Sequence, residues 1–184
     1  MTPNNLETLQ LAFNEGQRLK FVFFWRHYGQ GSKLGPHCFS QWYSSPFQVG
    51  AVTYATAEHY MMAEKARLFG DEEIRAQILA ATNPGAVQAL GRKVRGFKQE
   101  TWEAHRYDIV LAGNVAKFSQ DPALREYLAG TKNRVLVEAS PKDRIWGIGL
   151  AADDDRAKNP LEWRGLNLLG FALMEARRRI SETP

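Results

Sequence analysis

Between Thr56 and Gly130 the chain is cut into helical lengths by its own capping residues, and this punctuation restricts the fold more than any other feature. A small polar side chain at an N-cap accepts from the unpaired N–H groups of the first turn. A proline at the first helical position is tolerated because its missing N–H has no partner there. On these grounds Thr56 predicts a helix over 57–69 and Asp71 one over 72–81. Asn83 with Pro84 starts another, and Asp121 with Pro122 starts one that Gly130 ends. Residues 100–119 form the longest periodic segment, with Trp102, Ile109, Ala112, Val115 and Ala116 available to a buried side.

Outside this block, residues 5–15 read as an amphipathic helix with Leu6, Leu9, Ala12 and Phe13 on one face and Gly16 at its end. A last helix over 166–180 turns Leu166, Leu169, Leu173 and Met174 inward and carries Arg177 to Arg179 near its C-terminus, where the dipole favours cations. Strands are expected at KFVFFW (20–25) and RVLVEAS (134–140), from their β-branched and aromatic content. HYGQGSKLGPHC has the composition of a loop, CFSQWYSSPFQ is broken by Pro46, and VGAVTYAT reads as a tight bend leading to Thr56. The fold class is α-rich α+β: about seven helices and a few short strands in one compact domain over 21–184, preceded by a helical extension over 1–20.

A chain of 184 residues, 44% hydrophobic and 24% charged, suits one soluble globular domain. No run of ~18 apolar residues is present, so no membrane span is expected. The N-terminus lacks the basic and apolar regions of a secretory signal, and Cys38 stands alone, which makes the cytoplasm the default location. A net charge of +4 would help attract a phosphorylated ligand without implying nucleic acid. No His, Cys and carboxylate set has metal-ligand spacing, and no dinucleotide or phosphate loop appears, so neither a metal nor a cofactor is called for.

Two clusters could carry chemistry. In YATAEHYMMAEKARLFGD, Glu58 falls in the first turn after Thr56, where exposed N–H groups and the dipole favour a carboxylate and hold its pKa down. Plain stabilisation of that turn is the commoner reason for an acidic residue there. Lys65 lies two turns on and ~20° around, on one stripe with Met62 and Phe69. A carboxylate and an amine on an apolar stripe are costly to bury unless paired or used. His59 points elsewhere and reads as structural. In VEASPKDRIWGIGL, a strand delivers Asp143 on a loop, with Trp146 three residues later. A carboxylate and an indole suit a flat base held by stacking; a turn aspartate and a core tryptophan fit as well. Trp102 is either core or stacking platform. Basic groups recur at Arg26, Arg92, Lys93, Arg106 and Lys117.

Seven pieces in register, FFWRHYG, FSQWYSSPF, YATAEHYMMAEKA, LGRKV, KFSQ, LVEASPKDRIWGIGL and LNLLGFALMEAR, resemble the NADAR (NAD and ADP-ribose) family of YbiA-like N-glycosidases, from about Phe23 to Arg178. The resemblance implies a hydrolase that breaks an N-glycosidic bond between a (phospho)ribose and a base or amine. Phosphoribosylamino-pyrimidine intermediates of riboflavin biosynthesis are the first substrate it implies. ADP-ribose on guanine bases of DNA or RNA is the alternative, the one case in which nucleic acid is a partner; a non-catalytic ADP-ribose or nucleotide reader is a third. By position, the glutamate of the family's E-H-Y motif is Glu58 and the lysine of the same helix is Lys65. The other carried positions are Trp102, Asp143 and Trp146. Where some relatives read F-S-N-F, this chain has Phe39-Ser40-Gln41-Trp42, a departure that bears on substrate identity.

The expected mechanism keeps Glu58 ionised beside the anomeric carbon, where positive charge grows, and gives the leaving base its proton from Asp143. Trp42, Trp102 and Trp146 would contact the substrate, and Arg26 and Arg92 would hold its phosphate. Lys65 offers a competing route as a desolvated nucleophile.

Overall fold

A computed structural model describes residues 3–29 and 33–182, so positions 30–32 of the expected loop lie outside the described residues. Seven helices and four strands are present among them: α1 (Leu6–Asn14), β1 (Phe21–Phe24), β2 (Phe47–Val49), β3 (Val52–Tyr54), α2 (Ala57–Leu68), α3 (Glu72–Ala80), α4 (Pro84–Gly91), α5 (Gln99–Gln120), α6 (Pro122–Gly130), β4 (Val135–Glu138) and α7 (Leu168–Glu182). Thr56, Asp71, Asn83 and Asp121 each accept a first-turn N–H as caps, which accounts for the agreement between expected and observed helix starts.

The strands form two small sheets. β2 and β3 make the antiparallel hairpin expected as a bend before Thr56. β1 and β4 pair in parallel, with Phe21 opposite Val135 and Phe24 opposite Glu138, although more than a hundred residues separate them. Parallel neighbours require a crossover, and here it contains the hairpin and α2 to α6. α7 packs against both β4 and α5; α2 packs against α3, α4 and α5. α1 joins the same core through fully buried Leu9, and Gln10 Nε2 donates to the Pro160 carbonyl at 3.0 Å. No helix among the described residues is long and apolar enough to cross a membrane.

Two helix faces differ from expectation. The inward stripe of α5 is Val110, Leu111, Asn114, Lys117 and Phe118, whereas Ala112 is exposed and Ile109, Val115 and Ala116 are half-buried. Two of the inward residues are polar, which is why an apolar count chose the wrong side. Lys117 Nζ donates to the Cys38 and Ser40 carbonyls at 2.7 and 3.1 Å, and Asn114 Nδ2 donates to Gln41 Oε1 at 3.0 Å. In the last helix Leu169, Leu173 and Met174 are buried as expected, but Leu166 precedes α7 and is 42% exposed. Arg177 is buried rather than a solvated end charge: it donates to Thr131 Oγ1 and the Arg134 carbonyl.

The contact between α7 and β4 depends on Gly170, where any Cβ would run into the Leu136 carbonyl oxygen and the Asn167 side chain. Backbone cannot yield there without moving the helix off the strand. Gly170→Ala should therefore lower stability by about 2–3 kcal/mol through overpacking. Denaturant melts of the variant would show a lower midpoint with an unchanged slope.

Candidate active site

The C-terminal ends of the parallel strands open into one cleft of about 680 Å³. β1 runs into Trp25, Arg26, His27 and Tyr28, and β4 ends at Glu138, followed by Ser140, Asp143 and Trp146; all of these line it. The segment after the 3-10 turn at 36–39 adds Ser40, Gln41 and Trp42, and α2 adds Glu58, Met61, Met62 and Lys65. Arg92, at the C-cap of α4, completes one wall. Open α/β sheets commonly bind ligands beyond the carboxyl ends of their strands, and this two-stranded pair follows the same logic.

Helix α2 reaches the cleft by its first turn. Thr56 caps it, and the Glu58 N–H donates to the Gln41 carbonyl at 2.9 Å. His59 is held away from the cleft: Nδ1 lies 2.8 Å from Thr56 Oγ1 and Nε2 lies 3.1 Å from the Ala81 carbonyl. A carbonyl can only accept, so Nε2 carries the proton in the neutral ring. His59 is structural, in keeping with the sequence reading.

Glu58 itself departs from expectation. Its carboxyl is buried, 3% exposed as a residue, and Oε1 has no hydrogen-bond partner among the described residues. Burial pushes its pKa up to about 8 and the charge of Asp143 adds to the rise, while the Trp42 hydrogen bond, Arg92 and Lys65 oppose it. Desolvation outweighs the favourable end of the helix, so the group carries a proton at neutral pH.

A second carboxyl of the same kind stands opposite. Glu138 was absent from the residues picked out by sequence, yet its pKa is also pushed up to about 8, by burial, Asp143 and Glu58 in that order. It exposes part of its side chain to the cleft, but Oε2 is closed off from solvent and lacks a partner. The available signal was a glutamate ending a buried strand, and only the β1–β4 pairing reveals what that strand end faces.

The third carboxyl, Asp143, is held by its loop. Oδ1 accepts from the Ile145 and Trp146 N–H groups, both at 2.8 Å. The loop then folds back: Ile148 N–H reaches the Glu138 carbonyl and Gly149 N–H the Asp143 carbonyl, both at 2.9 Å, and the chain leaves with a positive φ at Gly149 (68°). Lys65 donates to the Gly91 carbonyl at 2.8 Å and faces the rings of Phe97 and Trp102 at 4.4 and 5.6 Å. Desolvation lowers its pKa and Glu58 partly restores it.

Seven of the eight residues expected in the site, Glu58, Lys65, Asp143, Trp146, Arg26, Arg92 and Trp42, line this cleft. Trp102 does not: it is 8% exposed, belongs to the core and sits behind Lys65. Cys38 is fully buried with its thiol pushed up to about 12 by burial, as suits a small core residue. Among the described residues no three His, Cys, Asp or Glu side chains are grouped to hold a metal ion.

The two raised carboxyls make stability depend on pH in a defined direction. An unfolded glutamate loses its proton near pH ~4.3, whereas these keep theirs on folding until about pH 8. Through that window the folded state binds more protons, so stability falls as pH rises. Lys117, whose pKa burial lowers to about 7, begins to titrate above the lower part of this range. Thermal melts at pH 5 and pH 6.5 should therefore show a loss in the wild type that is much reduced in the Glu58→Gln/Glu138→Gln double variant. An equal loss in both proteins would mean that neither carboxyl keeps its proton on folding.

Comparison with known proteins agrees with this architecture. The NADAR domain model matches residues 23–181. N-glycosidase R617 of Acanthamoeba polyphaga mimivirus is 43% identical over 163 residues, covering 86% of this chain and 95% of the relative. N-glycosidase YbiA of Escherichia coli is 31% identical over 143 residues, 78% of this chain and 81% of that protein. The NMR structure of E. coli YbiA superposes with a TM-score of 0.70 over 88% of this chain and 85% of that one, at 27% identity. Riboflavin biosynthesis protein PYRR of Zea mays is 32% identical over 173 residues, 90% of this chain but 25% of that longer protein. A family match over most of the chain, together with a relative 43% identical that aligns along 95% of its own length, establishes that this chain belongs to the NADAR family.

Proposed function

We propose that the cleft hydrolyses the N-glycosidic bond of a phosphoribosylamino-pyrimidine of the kind formed in riboflavin biosynthesis. Among relatives named N-glycosidases, this chain is a hydrolase of N-glycosyl bonds. The pyrimidine substrate is supported by the PYRR match, which spans 90% of this chain. The observation that carries the reaction class is three carboxyl groups, Glu58, Glu138 and Asp143, around one cleft that also offers an indole and cationic side chains.

Glu58 starts the reaction protonated. As the bond to the base lengthens, positive charge grows on the ribosyl C1 and the leaving nitrogen needs a proton. Transfer from Glu58 to that nitrogen leaves a carboxylate beside the cation, so one group supplies the acid and then the counter-charge. Asp143, oriented by two backbone N–H groups, faces the same space and takes the proton of the attacking water. Trp146 holds the base by stacking, worth ~1–3 kcal/mol for such contacts. Arg92 and Arg26 bind the phosphate; Arg26 lies 5.3 Å over Trp25 and 5.7 Å over Tyr28 at the rim.

Two observations favour further readings. Trp25 and Tyr28 are 39% and 59% exposed beside the cleft, which would suit a second base and hence ADP-ribose on guanine. Lys65 lines the cleft with a lowered pKa, which would suit attack on C1 and an imine that water then hydrolyses.

Product analysis tests the substrate: ribose 5-phosphate should be released from the phosphoribosylamino-pyrimidine faster than ADP-ribose from modified guanine. Binding without either product would leave a reader, not an enzyme. Glu58→Gln should lower turnover by ~10²-fold or more at unchanged fold, and wild-type activity should fall as pH rises past about 8, where Glu58 loses its proton. Borohydride added during turnover should leave Lys65 unmodified if Glu58 leads, whereas a reduced sugar adduct on Lys65 would give the lysine route precedence.

A further inference from the structure

Glu138 has more structure invested in it than a strand-ending residue needs. Its N–H donates to Asn167 Oδ1 at 3.0 Å and its carbonyl accepts from Ile148 N–H at 2.9 Å. Asn167 is fully buried, holds a positive φ of 53°, and anchors itself to the Leu136 carbonyl at 2.9 Å. The backbone of Glu138 is thus fixed from both sides, and its side chain enters the cleft from a rigid base.

The carboxyl at the end of that side chain has no work within the protein. No Lys or Arg forms an ion pair with it among the described residues, and Oε2 is occluded with no donor. Buried polar groups are almost always hydrogen-bonded, so an unpaired one on a rigid support marks a place where a ligand supplies the partner. A residue serving only the fold would gain from being apolar here, next to Val135, Leu136 and Val137, all buried.

We infer that Glu138 binds substrate by accepting a hydrogen bond from a ring hydroxyl of the ribosyl group, and thereby gives the cleft a preference for ribose over 2-deoxyribose. The inference rests on the N-ribosyl hydrolase reading above. Glu58 and Asp143 stand at the anomeric carbon in that reading, and Glu138 shares the cleft with both; the neighbouring donors on the sugar are its hydroxyls. An acidic side chain on a ribose hydroxyl is also how dinucleotide folds hold their sugar. The bond would act in catalysis as well, since contacts to the 2-hydroxyl strengthen as the ring gains positive charge. Trp146, half-buried in the same cleft, keeps the base.

Isothermal calorimetry of the full chain with ribose 5-phosphate and with 2-deoxyribose 5-phosphate tests this directly. The wild type should bind the ribose compound at least about tenfold more tightly, because a site built around a hydroxyl is left unpaired without it. Glu138→Leu should bring ribose 5-phosphate down to the affinity of the deoxy compound and leave the latter unchanged. Glu138→Gln, which keeps an acceptor oxygen, should retain most of the preference. Glu138→Leu should also melt no lower than the wild type at pH 7, which a structural role for the carboxyl would not allow.

Equal affinity of the wild type for both sugars would overturn the assignment without any variant, as would affinity for neither. So would a preference that survives in Glu138→Leu. Ribose 5-phosphate release by the wild type is scored separately. Turnover with equal sugar affinities rejects Glu138 alone, and absence of both turnover and sugar binding rejects the parent reading with it.

Discussion

The parallel pairing of β1 with β4 is the constraint on which the rest of the structure depends. Two four-residue strands register from Phe21–Val135 to Phe24–Glu138, and everything between them becomes the crossover. Closing so long a connection carries an entropic cost that grows only slowly with length, but it must be offset by the packing of the crossover itself. That packing runs through α2 and α5, which bury Ala63, Ala66, Val110, Leu111 and Phe118. The pairing also brings residues 25–28 and 138–146 to one end, where neither alone would enclose a cleft.

Local signals were legible in the sequence because their physics is local. An Asn, Asp or Thr before a helix satisfies N–H groups three residues away, whatever the tertiary fold, so Thr56, Asp71, Asn83 and Asp121 could be read directly. The residues of the two motifs were legible as a set, since Glu58, Lys65, Asp143 and Trp146 do share a cleft. What depended on distant partners was not. Lys117 looks like a solvated charge until the Cys38 and Ser40 carbonyls come across from another segment. Trp102 had two readings, and its burial among core residues, with the Lys65 ammonium over its ring, keeps it out of the cleft lining. Glu138 gave no motif signal because its meaning lies in which strand pairs with its own.

The charge state of Glu58 shows the same division with more consequence. Its place in the first turn of α2 argues for a low pKa, and the helix end supplies a favourable field of typically 0.3–1 kcal/mol. Removing a carboxylate from water costs several kcal/mol even after the protein relaxes. The second effect exceeds the first, and it exists only because residues 40–42 and the end of β4 close over the helix start. A helix terminus exposed to solvent would have kept the acid ionised.

Buried carboxyls also set how the cleft responds to reaction. In the free protein both Glu58 and Glu138 hold protons, so the cleft avoids gathering three negative charges at neutral pH. A substrate whose ribose becomes cationic reverses the balance, because an ionised Glu58 is then favoured by a nearby positive charge instead of opposed by Asp143. In the proposed reaction the proton leaves Glu58 at the point where the departing nitrogen can use it. The same burial that lowers stability as pH rises therefore keeps the acid protonated for use, and removing it should trade activity for stability. Lys65 and Arg92 moderate this response: by favouring the Glu58 carboxylate they keep its pKa from rising so far that the proton could not be surrendered.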